Sequence, residues 1–134
     1  MFSMLIMLLA LTGNVYSANN SANHLNNIRT SFKGGIQRIV FDITGENEPA
    51  YYIKKDKNTL SLTLETSLST DKDRILKKTL ENTHYIGNVQ FLHLPEEEEL
   101  IITMDLKTNT SEEIMTLPHP SRVVVDISRN KTGV

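Results

Sequence analysis

Cysteine is absent from this 134-residue chain, so no disulfide staples it and no thiolate is at hand as nucleophile or metal ligand. Tryptophan is absent as well and aromatic residues make up 6%, which leaves Ile, Leu and Val to build the core. An excess of charge of one sign is also lacking: 14 Lys and Arg against 16 Asp and Glu give a formal net charge of −2. Nucleic-acid binding, which calls for a basic domain or stripe, is therefore not expected. Catalytic signatures are missing too. No Gly-x-Ser-x-Gly elbow occurs, and the four histidines, His24, His84, His93 and His119, show no His-x3-His spacing. Neither an enzyme, a metal nor a cofactor is expected. Glu96 to Glu99 beside His93 reads as a solvated turn.

Hydrophobic residues at 39% and charged residues at 22% mark a globular chain, of a length that suits one domain. The opening "MFSMLIMLLALTGNVYS" has an apolar run from Met4 to Leu11 and small residues before Ala18. That is the layout of a secretory signal peptide over 1–17. The run falls short of the ~20 residues a bilayer span requires, so no membrane span is expected after cleavage. A polar, Asn-rich lead-in over 18–25 follows, then the domain proper over 26–129 and a tail over 130–134.

Within the domain, short runs alternate apolar and polar residues between turn residues, which is the pattern of half-buried strands. "NIRTSF" (27–32) and "QRIVFDIT" (37–44) flank Gly34-Gly35 as a hairpin; "AYYIKK" (50–55) and "TLSLTLE" (59–65) follow. After a connector over 66–83, the pattern resumes in "YIGNVQFLHL" (85–94), "LIITMDL" (100–106), "EEIMTL" (112–117) and "SRVVVDIS" (121–128). In the connector, Thr70 with Asp73 resembles a capping box, and Ile75, Leu76 and Leu80 share a helical face, so a short helix or an irregular link is expected.

The second set of strands echoes the first. At an offset of 63 positions, Phe41, Asp42 and Ile43 fall on Met104, Asp105 and Leu106, and Leu60, Leu62 and Leu64 fall on Val123, Val125 and Ile127. The first strand of each set aligns at 61 instead, as a two-residue change in the first turn would allow. Such a tandem repeat predicts an all-β sandwich of two pseudo-symmetric four-stranded antiparallel sheets. Antiparallel pairing of "QRIVFDIT" with "SRVVVDIS" about Val40 and Val124 sets Arg38 opposite Asp126 and Arg122 opposite Asp42, whereas a parallel register would oppose like charges. The symmetry mate of that pairing would bring Asp105 to Thr59.

"RIVFDITG" (38–45) and "HPSRVVVDI" (119–127) resemble the Arg-apolar-Asp phrases of the AMIN domain, a module of periplasmic N-acetylmuramoyl-L-alanine amidases and type IV pilus secretins. The resemblance covers roughly 25–128. It implies a non-catalytic periplasmic module that binds peptidoglycan and localises in the cell envelope, often at the division site, here standing alone without amidase or secretin channel. A different reading is an assembly module that docks an envelope protein complex such as a secretin or amidase through its sheet edges. Arg38, Asp42, Arg122 and Asp126 are the candidate ligand-facing patch: Arg forks onto carboxylates and Asp accepts from hydroxyls or amines. Tyr52 joins them as a ring that could stack on sugar, with Tyr51 and Tyr85 as further candidates. Of the adjacent Tyr51 and Tyr52, one should point into the core. Lys54, Lys55 and Lys57 form a solvated basic edge open to anionic polymers.

Overall fold

Alternation dictates where this chain runs as strand, and the turn residues dictate where it reverses. The computed structural model describes residues 23–45 and 48–130. The signal segment expected over 1–17, most of the lead-in and all of the tail but Asn130 lie outside the described residues. Among the described residues eight strands form: β1 (His24–Lys33), β2 (Ile36–Thr44), β3 (Tyr51–Asp56), β4 (Thr59–Leu64), β5 (Ile86–Leu94), β6 (Glu99–Leu106), β7 (Thr110–Leu117) and β8 (Arg122–Arg129). One helix, α1 (Thr70–Leu80), lies between β4 and β5. No helix among the described residues is long and apolar enough to cross a membrane. His24 and Leu25, expected at the end of the lead-in, are strand residues, because Leu25 is driven under the sheet to 2% exposure.

Two antiparallel four-stranded sheets result, one ordered β1-β2-β8-β7 and the other β3-β4-β6-β5. Exchanging β1 with β5, β2 with β6, β3 with β7 and β4 with β8 turns one order into the other, so the repeat in the sequence is a pseudo-two-fold axis in the fold. Each sheet takes one hairpin from each repeat.

Registers agree with the expectation. Val124 faces Val40, Asp126 faces Arg38 and Arg122 faces Asp42, while Asp105 faces Thr59 in the symmetry-related ladder. The β1–β2 turn has two residues, Gly34 and Gly35, and the β5–β6 connection has four, Pro95 to Glu98, which accounts for the offset of the first strands. Positive φ at both glycines, 61° and 80°, is the geometry that a two-residue hairpin of matching twist demands. A register shift after Leu25 in β1 recurs after its equivalent Ile86 in β5, so even the β-bulge is duplicated.

The inner faces meet in one core. Ile39, Phe41, Leu62, Leu64, Leu100, Ile102, Met104, Val123, Val125 and Ile127 are all 0% exposed, each contributing about 1.5–3 kcal/mol by burial. Helix α1 packs on β1 and β5, the edge strands on one side of the sandwich. It buries Leu76 and Leu80, an i, i+4 pair, but Ile75 is 66% exposed. Thr70 does not cap the helix. Ser69 stands at the N-cap without a side-chain bond, and Asp71 and Asp73 favour the start as acidic first-turn residues.

Buried Gln37 ties β2 to the segment after the helix. Its amide donates to Thr30 Oγ1 at 3.0 Å and Thr83 Oγ1 at 2.8 Å, and its oxygen accepts the Tyr85 N–H at 2.7 Å. Tyr85 is itself largely core, at 6% exposure, so only a small part of its ring is left to line a hollow at the surface.

At the opposite side, the edge strands β3 and β7 are joined by Lys55. It donates to the Thr110 carbonyl and pairs with Glu112 at 3.0 Å, with side chains 27% and 10% exposed. Lys55 thus stays at the exposed edge but is paired there rather than free, and it stands on the same strand face as Ile53. Neither Tyr51 nor Tyr52 enters the core, at 37% and 64% exposure. Tyr51 points to the inner side, but among the described residues β3 is an edge strand with a neighbour on one flank only.

Candidate functional site

Side chains that alternate away from the core in β1, β2, β8 and β7 form a grid on the outer face of the first sheet. Its registers give three successive rows across the strands: Asn27, Asp42, Arg122, Leu117; then Arg29, Val40, Val124, Met115; then Ser31, Arg38, Asp126, Glu113. Apolar residues therefore floor the middle row, with charged residues on both sides of it. Val124 is 3% exposed despite facing outward. Above it lies a groove of 340 Å³ lined by Arg29, Arg38, Arg122, Val40 and Leu117 among others.

Three arginines converge there, and they are not equivalent. Arg38 forks onto Asp126, with Nε to Oδ1 at 2.8 Å and Nη2 to Oδ2 at 2.9 Å. Asp42, expected to meet Arg122, is instead taken by Arg29, with both bonds at 2.8 Å. Arg122 turns along its own strand end and donates to the Pro120 carbonyl at 3.1 Å and the Pro118 carbonyl at 3.4 Å. No carboxylate pairs with it among the described residues. The reason is geometric. A facing pair shares a row, but a long guanidinium also reaches diagonal neighbours, and Arg29 presents its planar fork to Asp42.

The hydrogen bonds from Arg38, and secondarily its charge, hold the Asp126 carboxyl below the usual aspartate range, against an opposing effect of burial. Because the folded value is depressed, the stability linked to this pair is present above the unfolded aspartate range and is lost as pH falls through the folded value. Carboxyl NMR titration of the native protein is expected to place the Asp126 midpoint below that of an unpaired aspartate. In Arg38→Ala the midpoint should return toward the ordinary value; an unmoved midpoint would mean that Arg38 is not the cause.

Tyr52 is separated from the other candidates. It lies on the outer face of the second sheet, in a row with Thr63, Ile101 and Leu92. Under the pseudo-two-fold axis this row corresponds to Glu113, Asp126, Arg38 and Ser31. A charged row on one face is thus an apolar and hydroxyl row on the other, and the arginine patch exists once. Arg29 is the residue that sequence reasoning missed. Its signal was present, since the two-residue turn at Gly34-Gly35 sets the β1–β2 register and puts Arg29 one diagonal step from Asp42.

Chemically, the groove offers fixed guanidinium donors over an apolar floor, which suits a ligand with carboxylates along an aliphatic body. Among the described residues, no group of three or more His, Asp or Glu is placed to hold a metal ion. No family model matches this chain, and no curated protein matches it.

Proposed function

We propose that the chain is a non-catalytic module of the bacterial periplasm that binds peptidoglycan through the outer face of its first sheet. The observation that carries this reading is Arg122. It lines the groove together with two carboxylate-neutralised arginines, yet its own partners are carbonyls, which leaves its charge for the carboxylates of peptide stems. The secretory layout of 1–17 and the AMIN-like Arg-apolar-Asp phrases support the same compartment and ligand class.

Cosedimentation with purified sacculi tests it. The wild-type chain is expected to pellet with sacculi. Arg122→Glu should weaken binding by about tenfold or more, the equivalent of ~1.4 kcal/mol, by replacing a charge-assisted donor with a repelling group. Equal pelleting of the variant, with an unchanged circular dichroism spectrum, would rule the groove out.

A second reading is an assembly module for an envelope complex such as a secretin or amidase. Edge strand β3 favours it, since Tyr51 and Tyr52 stand exposed beside a strand edge that no other strand pairs with among the described residues and that a partner strand could extend. Capture of such a partner by a chain that does not pellet with sacculi would select this reading.

A further inference from the structure

The end of the sandwich that holds the β1–β2 turn carries a second site, distant in kind from the arginine groove. Gly34 and Gly35 leave the turn as bare backbone, and a Cβ added at either would meet no atom within 4 Å. Behind the turn stands an aromatic wall. His84 stacks on Phe32 with ring centres 3.5 Å apart and meets Tyr85 edge-on at 4.6 Å. The wall is fixed to the turn, because the Tyr85 hydroxyl donates to the Gly35 carbonyl at 2.8 Å. Phe32 and Ile36, which flank the glycines, are 45% and 42% exposed, an unusual amount of apolar surface to leave at a hairpin tip.

Between this turn and the end of β8 lies a hollow of 620 Å³, within the ~300–1,000 Å³ range of small-ligand pockets. Its lining divides chemically. Ile36, His84 and Tyr85 supply apolar and ring surface, and Ser128 and Arg129 supply donors on the β8 side. Among the described residues no Asp or Glu lines it, and no carboxylate pairs with Arg129. An occupant must therefore combine an anion with an apolar or planar group at short range.

The last residue of a polypeptide meets that demand, because its carboxylate and side chain branch from a single carbon. We propose that this hollow binds the free C-terminus of a partner polypeptide. The terminal carboxylate is held by Arg129 and Ser128, and an apolar or aromatic last side chain rests against Ile36 and the His84–Tyr85 wall. An internal Asp or Glu serves less well, since its chain would have to continue out of the hollow on both sides. The site is independent of the cell-wall reading, for it shares no residue with the groove above Val124.

The test is fluorescence anisotropy of the full chain with a fluorescein-labelled decapeptide ending in phenylalanine, beside the same peptide with an amidated C-terminus. Saturable binding of the free acid is expected, weakened about tenfold or more by amidation, which removes the charge that Arg129 recognises. Arg129→Gln should bring the free acid down to the affinity of the amide. His84→Ala should weaken the phenylalanine peptide while barely changing one that ends in alanine. Amide chemical shifts of Gly34, Gly35 and Ser128 should move on titration with the free acid. Equal binding of acid and amide, or no saturable binding of the acid at millimolar peptide, would overturn the proposal. The assay contains no cell wall, so its failure and that of the sacculus experiment are separate results.

Discussion

Phe41→Ala is expected to lower the unfolding free energy by about 3–5 kcal/mol, the range for an aromatic truncated in a well-packed core. Phe41 is 0% exposed in the middle of β2. Its sheet neighbours Ile28 and Val123 are held in register on either side and are themselves 2% and 0% exposed. The strand ladders limit how far the backbone can close over the lost ring, so most of the cavity should persist. A domain of this size is stable by roughly 5–15 kcal/mol, so the variant should unfold at much lower urea with the slope of its transition unchanged. Met104→Ala at the symmetry-related position, also 0% exposed, should cost about 2–5 kcal/mol. A loss below about 1 kcal/mol at Phe41 would mean that the two sheets do not pack as described here.

Gly45→Ala should rank next, at roughly 2–5 kcal/mol and a fall in Tm on the order of 10 °C. Gly45 has φ of 144°, a conformation that L side chains rarely adopt, and an added Cβ would stand 2.9 Å from the Asn23 Cα. That backbone has little freedom to retreat. The Asn23 carbonyl accepts the Ser67 N–H at 2.9 Å, and the Ser67 carbonyl accepts the Leu25 N–H at 2.9 Å. A methyl group would therefore act on β1 and on the segment after β4 together. Gly34→Ala is the control. Its φ of 61° is strained for alanine, but nothing lies within 4 Å of the new atom, so only the conformational cost of about 1 kcal/mol remains. Similar losses at both glycines, measured by thermal unfolding, would contradict the role given to the Asn23 contact.

The fold was legible because the chain states it twice. One copy of an Arg-apolar-Asp strand is a common phrase, but two copies allow a pairing to be chosen by charge, and that choice fixed the central ladders of both sheets residue by residue. Side-chain destinations were less legible, for identifiable reasons. A register names the residue across the strand, whereas Asp42 was claimed along a diagonal by Arg29. Parity gives the direction of Tyr51 but not its burial, since an edge strand lacks the neighbour that would cover it. On the helix, Ile75 and Leu76 are adjacent in sequence and 100° apart in space, so only the one aligned with Leu80 could be buried. Lys55 shows the converse, a charge paired with Glu112 across the edge where composition alone suggested a free lysine. Of the candidate site, the positions of Arg38, Asp126, Asp42 and Arg122 on one face followed from alternation, and the partner of each did not.

The strand orders have a consequence in time as well as in space. The sheet β3-β4-β6-β5 is drawn from one unbroken stretch, from Tyr51 to Leu106, while the sheet β1-β2-β8-β7 joins the two flanks of that stretch. Its central ladder brings Val40 to Val124, so β2 has no partner on that side until the final strand has left the ribosome. A chain emerging from its N-terminus can therefore complete the inner sheet early, but it cannot close the face that carries the arginines until β8 has emerged as well. Pairings of such long separation are slow to form. Every nascent copy thus passes through an interval in which β2 is paired on its β1 side and open on the other.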